Sequence, residues 1–80
     1  MDINLARHMI RVAFRSSAEL QGLLRTLKEE CGPDEYKGYA MGIASAVDAI
    51  GVNLTNKALG AYPQLAKEIE DSLDQHGRYV

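Results

Sequence analysis

Along the first thirty residues the apolar positions fall alternately three and four apart. Ile3, Ala6, Ile10, Ala13, Leu20, Leu24 and Leu27 keep that rhythm, with Ser17 filling the step between Ala13 and Leu20. This is the a/d spacing of a left-handed helix–helix contact. Leu5, Met9, Val12, Phe14 and Leu23 widen the stripe. One apolar line serves one neighbour, whereas a broad face can serve two. A second seam follows, through Tyr36, Ala40, Ile43, Val47, Ile50 and Leu54. A third, shorter stripe holds Tyr62, Leu65, Ala66, Ile69 and Leu73, with Gln64, Glu68, Asp71 and Gln75 facing away. No stretch alternates apolar and polar residues with β-branched enrichment, so no strand is predicted.

Two glycine–proline pairs punctuate this pattern, at Gly32-Pro33 and Gly60 to Pro63. Glycine suits the left-handed residue after a helix, and proline suits the first turn of the next. Helices are therefore predicted over roughly 3–30, 34–59 and 63–76, with Gly77 as the final stop. Asn53-Leu54-Thr55-Asn56 groups poor helix formers and predicts a kink or early stop. Arg78-Tyr79-Val80 reads either as a frayed tail or as a segment docked by Tyr79.

The two long helices would each run about 40 Å. Their matched lengths and tight connection predict an antiparallel helical hairpin, with the third helix covering part of one face. The expected fold is one all-α domain over residues 1–80. Its uncovered apolar faces predict assembly into a dimeric helical bundle. The chain has 80 residues, and a core of that size is thin on its own. Gly38, Gly42, Ala46 and Ala49 offer a small-residue face on the second helix. Helix-interior glycine is disfavoured by about 1 kcal/mol relative to alanine, and close approach of another backbone would offset that. These four are the predicted contact, with Leu20, Leu24, Ile43, Val47 and Ile50 as core.

Composition narrows the function classes. Tryptophan is absent and aromatics are 6%, which argues against a base-stacking nucleic-acid platform. Cys31 is the lone cysteine, so there is no intramolecular disulfide and no multi-thiolate metal cage. No window is long and apolar enough to span a bilayer. The N-terminal stretch lacks the apolar core of a secretory signal and joins the helical pattern smoothly, so it reads as mature structure. A single free thiol suits a reducing compartment, and the cytoplasm is the expected location.

The net charge of −2 hides an asymmetry. Residues 1–28 carry Arg7, Arg11, Arg15, Arg25 and Lys28 against Asp2 and Glu19, whereas residues 64–76 carry Lys67 against Glu68, Glu70, Asp71 and Asp74. The acids of the third helix oppose the order its dipole prefers, so a cationic neighbour such as the Arg7/Arg11/Arg15 line is expected. That line is also the candidate basic surface. The third helix occupies the position of a recognition helix but is acidic, which counts against helix-turn-helix readout, and nucleic acid is not the expected partner.

No catalytic residue, metal site or cofactor is predicted. His8 and His76 lie on different segments, and no His-x-x-x-His or Glu-x-x-His pair is present. His8 reads better as a partly exposed structural imidazole, and His76, near a helix C-terminus, gains from the dipole when charged. Cys31 is flanked by Glu29, Glu30, Asp34 and Glu35, which oppose thiolate formation. Asp48 sits on the shoulder of the second seam, where an arginine of the first helix is a possible partner. Tyr36, Tyr39 and Tyr62 read as amphipathic core-edge residues. No glycine-rich phosphate loop occurs. The expected function is a non-enzymatic interaction module that self-associates as a homodimer. The alternatives are a small regulator touching nucleic acid through Arg7, Arg11 and Arg15, and a small-ligand carrier with an interhelical pocket near His8 or Tyr62.

Overall fold

Asp2 starts the first helix by accepting the Leu5 N–H at 2.8 Å, the N-cap bond that satisfies one orphan donor of a helix start. From there α1 runs unbroken over Ile3–Glu30. The computed structural model describes residues 1–80 and is all-helical, with no strand. The molecule measures 44 × 25 × 15 Å, so α1, at about 1.5 Å per residue, spans nearly its full length.

Two extended residues, Cys31 and Gly32, join α1 to α2 (Pro33–Ile50), and the two helices pack on each other. Gly32 is not left-handed: its φ is −66°. Proline at the first helical position, followed by Asp34 and Glu35, begins α2 without any side-chain cap. Gly77, with φ 72°, is the one left-handed residue and ends the last helix as expected.

The second helical segment does not stop at Asn53–Asn56. It widens into a π turn over Gly51–Thr55 and continues as α3, Asn56–Ala61. The Asn56 N–H donates to the Gly51 carbonyl, a bond one residue longer than in an α-helix. The consequence is a one-residue slip of the apolar face. The expected step from Ile50 to Leu54 becomes a step from Ile50 to Thr55. Thr55 is buried and Leu54 is turned out to solvent. Ala58 then takes the next inward place, 1% exposed.

The chain leaves α3 at Tyr62, whose backbone (φ −133°, ψ 75°) lies outside the α region that a following proline disfavours. A turn at Pro63-Gln64 precedes α4, Leu65–His76, which therefore starts two residues later than predicted. The inward face of α4 also differs from the expected stripe. Leu65, Ile69 and Ser72 are buried, Glu68 is half-buried, and Ala66 and Leu73 are exposed.

The core is Ala6, Ile10, Ala58, Leu65, Ile69 and Tyr79, with Ile3, Met9, Phe14, Leu59 and Tyr62 packed around it. It lies where the N-terminal half of α1 meets α3, α4 and the tail. This corrects the expected placement along Leu20, Leu24, Ile43, Val47 and Ile50. Of those five only Ile43 is buried, and the others are half-buried. The small residues that sit inside are alanines, Ala6, Ala13 and Ala58, each 2% exposed or less.

Candidate functional site

Two surfaces carry the features singled out in the sequence. The first is the outer half of α1 and α2. Beside their seam lies an open groove of about 360 Å³, lined by Gln21 and Leu24 of α1 and by Ala40, Ile43, Ala44 and Val47 of α2, with Asp48 at its edge. Asp48 makes no ion pair, so the expected arginine partner is not there. On the other flank of α2, Gly38, Gly42, Ala46 and Ala49 are all exposed. A Cβ added at Gly38 or Gly42 would meet no atom within 4 Å. The close approach these glycines suggest is therefore not made inside the chain. Leu23, Tyr39 and Met41 are exposed in the same half, Tyr39 at 56% and Met41 at 65%.

The second surface is the basic line of α1 and what faces it. Arg7 Nε donates to both oxygens of Glu68, at 3.0 and 3.1 Å, and its Nη1 donates to Asn4 Oδ1 at 2.9 Å. The expected meeting of this line with the acids of the last helix thus occurs at Arg7. The Tyr79 hydroxyl donates to Glu68 Oε2 as well. Hydrogen bonds from Arg7, then from Tyr79, hold the Glu68 carboxyl below the usual carboxylate range, against a smaller opposing effect of burial. Burial, followed by the bond to Glu68, pushes the Tyr79 phenol up. Bonding to Glu68 likewise raises Arg7.

Arg11 Nη2 donates to the Val80 carbonyl at 3.0 Å, and its guanidinium lies 4.6 Å from the centre of the Tyr79 ring. Phe14 meets the same ring edge-on at 6.2 Å. Ser72 Oγ donates to the Arg78 carbonyl at 2.8 Å and accepts the Val80 N–H at 2.9 Å. The tail is therefore docked, not frayed. Glu68 and Ser72 form a clasp on it, Glu68 through the Tyr79 hydroxyl. Periodicity placed Glu68 outward, and the only signal for its inward role was the charge contrast between α1 and α4.

Of the three arginines in the line, only Arg15 is exposed, because Arg7 and Arg11 are half-buried in the contacts above. Arg15 and Arg78 make no ion pair. With Arg11 they border a second pocket of about 360 Å³, whose apolar lining is Phe14, Ala18, Tyr79 and Val80.

The remaining candidates do not converge. His8 and His76 are exposed, and no group of three metal-ligating side chains forms. Neither His8 nor Tyr62 lines a pocket; the Tyr62 hydroxyl donates to the Met1 carbonyl. Cys31 is half-buried, and its thiol is pushed up by hydrogen bonding to Glu35 first, then by burial and the charges of Glu35 and Glu30. No helix is long and apolar enough to cross a membrane. Comparison with protein-family models, curated proteins and solved structures gives no match to this chain.

Proposed function

We propose that the chain is a non-enzymatic interaction module that works as a homodimer, using the outer half of an antiparallel α1–α2 hairpin. One observation carries this reading. The chain exposes 5690 Å², whereas a monomer of its 8.8 kDa mass ordinarily exposes about 4,800 Å². The surplus of about 900 Å² matches the roughly 800 Å² that each partner buries in an ordinary stable interface.

The location follows from helix geometry. In an antiparallel pair, residues rotated the same way from the seam reach the same side. Gln21 and Ala44, which share the groove, are both about 80–100° from their seams in one sense. Leu23 and Tyr39 are both about 60° away in the other sense, and Gly42 and Ala46 lie just beyond. Apolar side chains beside small ones make a flat face on which a second helix pair can settle closely. The reducing cytoplasm suits such a module, with Cys31 remaining a thiol.

Sedimentation equilibrium of the purified chain tests the reading. A reversible dimer at micromolar concentration is expected. A clean monomer up to a concentration of about 1 mM, corresponding to an interaction weaker than about −4 kcal/mol, sinks it.

A further inference from the structure

The pocket between α1 and the docked tail shares no residue with the groove between α1 and α2. Three features of it point the same way. Its charged side chains are all guanidinium groups, Arg11, Arg15 and Arg78, and no acidic side chain lines it. Its walls are otherwise apolar, with Phe14 and Tyr79 set edge to face. The tail that forms one side is pinned by Ser72, Arg11 and Glu68, so the wall is built in place and does not have to be assembled by a ligand.

A cation-rimmed apolar pocket of this size belongs to the range of small-molecule sites, roughly 300–1,000 Å³. Guanidinium forks match a carboxylate with two parallel hydrogen bonds. Arg15 and Arg78 have no acidic partner in the chain, whereas Arg7 has Glu68. The geometry points to a binding site for a small carboxylate carried on an apolar body. The head pairs with Arg15 and Arg78, and the apolar part rests on Phe14, Ala18 and Tyr79. Arg11, already anchored to the Val80 carbonyl and the Tyr79 ring, holds the wall.

Decanoate is the probe, titrated calorimetrically into the whole chain at low salt, with decanol and acetate as matched controls. Saturable binding of one decanoate per chain is expected, with no measurable binding of acetate and clearly weaker binding of decanol. Arg15→Gln and Arg78→Gln should each weaken decanoate roughly tenfold, as loss of a charge-assisted pair does. Ala18→Phe, which fills the pocket without touching any charge, should abolish binding. Circular dichroism of each variant verifies that the helices persist. Decanol binding as tightly as decanoate overturns the site, and so does decanoate binding unchanged in both arginine variants and in Ala18→Phe. Failure here leaves the dimer intact, because the groove and the small-residue face are untouched.

Discussion

The two ends of α1 present the same alternation of threes and fours and come to different fates. In the N-terminal half, Ala6, Ile10 and Ala13 are sealed by α3, α4 and the tail. In the C-terminal half, Leu20, Leu24 and Leu27 have only α2 across from them and stay half-buried. A seam fixes which residues turn inward; how deeply they are buried depends on a third element lying over the pair. α4 and the tail cover one end of α1 and leave the other with α2 alone.

Deleting single residues from the second helical segment tests that contrast most severely. Removing Ala46, within regular α-helix, rotates Val47 and Ile50 by about 100° off the seam with α1 even if the π turn relaxes to restore Thr55 and Ala58, so stability should fall sharply. Removing Asn53, inside the π turn, leaves Thr55 four residues from Ile50, and the slip is absorbed. This variant should keep its helicity and unfold cooperatively in thermal denaturation followed by circular dichroism. Loss of structure in it would show that the π turn itself is required.

Cavity-forming substitutions come next. Ile10→Ala and Leu65→Ala, at fully buried positions, should each destabilise by about 2–5 kcal/mol in urea denaturation. Leu24→Ala, in the half-covered region, should cost about 1 kcal/mol in dilute protein, since part of its surface already meets water. A deficit for Leu24→Ala that grows with protein concentration would report the second copy covering that region. Equal losses at the two ends would remove the distinction.

The clasp predicts a pH signature confined to the covered end. Glu68 titrates lower in the folded chain than its ordinary 4.5. Its contribution is therefore present above that value and is lost as pH falls through the folded value. Tyr79 titrates above its ordinary 10.0, so its contribution is complete below 10.0 and disappears as pH rises through the folded value. Glu68→Gln should flatten the acid limb of stability against pH, and Tyr79→Phe the alkaline limb. Unchanged acid and alkaline limbs in these variants would dissociate the clasp from stability.

The mildest change is the most discriminating for the open end. In Gly42→Leu the added Cβ meets no atom of the chain within 4 Å, and leucine replaces a poor helix former. The monomer should gain about 0.5–1 kcal/mol, while the dimer should dissociate in sedimentation. A variant that is both more stable and still dimeric would move the interface off the small-residue face.

The limits of α1, its seam and the stop at Gly77 were legible because each follows from local rules: spacing, capping and a left-handed glycine. The place of Thr55 was not. A π turn is a non-local choice, in which α1 accepts a threonine and an alanine at the tight spot and the larger Leu54 turns outward. Glu68 was misread for a related reason. Its polarity argues for solvent, and only the folded chain supplies Arg7 and Tyr79 to satisfy it. The core was misplaced because two seams of equal quality do not reveal which end a short third helix will cover. The face of Gly38 and Gly42 was legible as a pattern, and within the chain it stays open.

The guanidinium of Arg11 above the Tyr79 ring also gives the molecule a built-in spectroscopic reporter. Protons held over the face of an aromatic ring are shielded by its circulating electrons. The side-chain resonances of Arg11 should therefore stand upfield of their random-coil positions while the tail is docked. Any event that lifts Tyr79 would return them downfield without disturbing the amide signals of the outer helices. A single proton spectrum of the unlabelled chain thus distinguishes a docked tail from a released one.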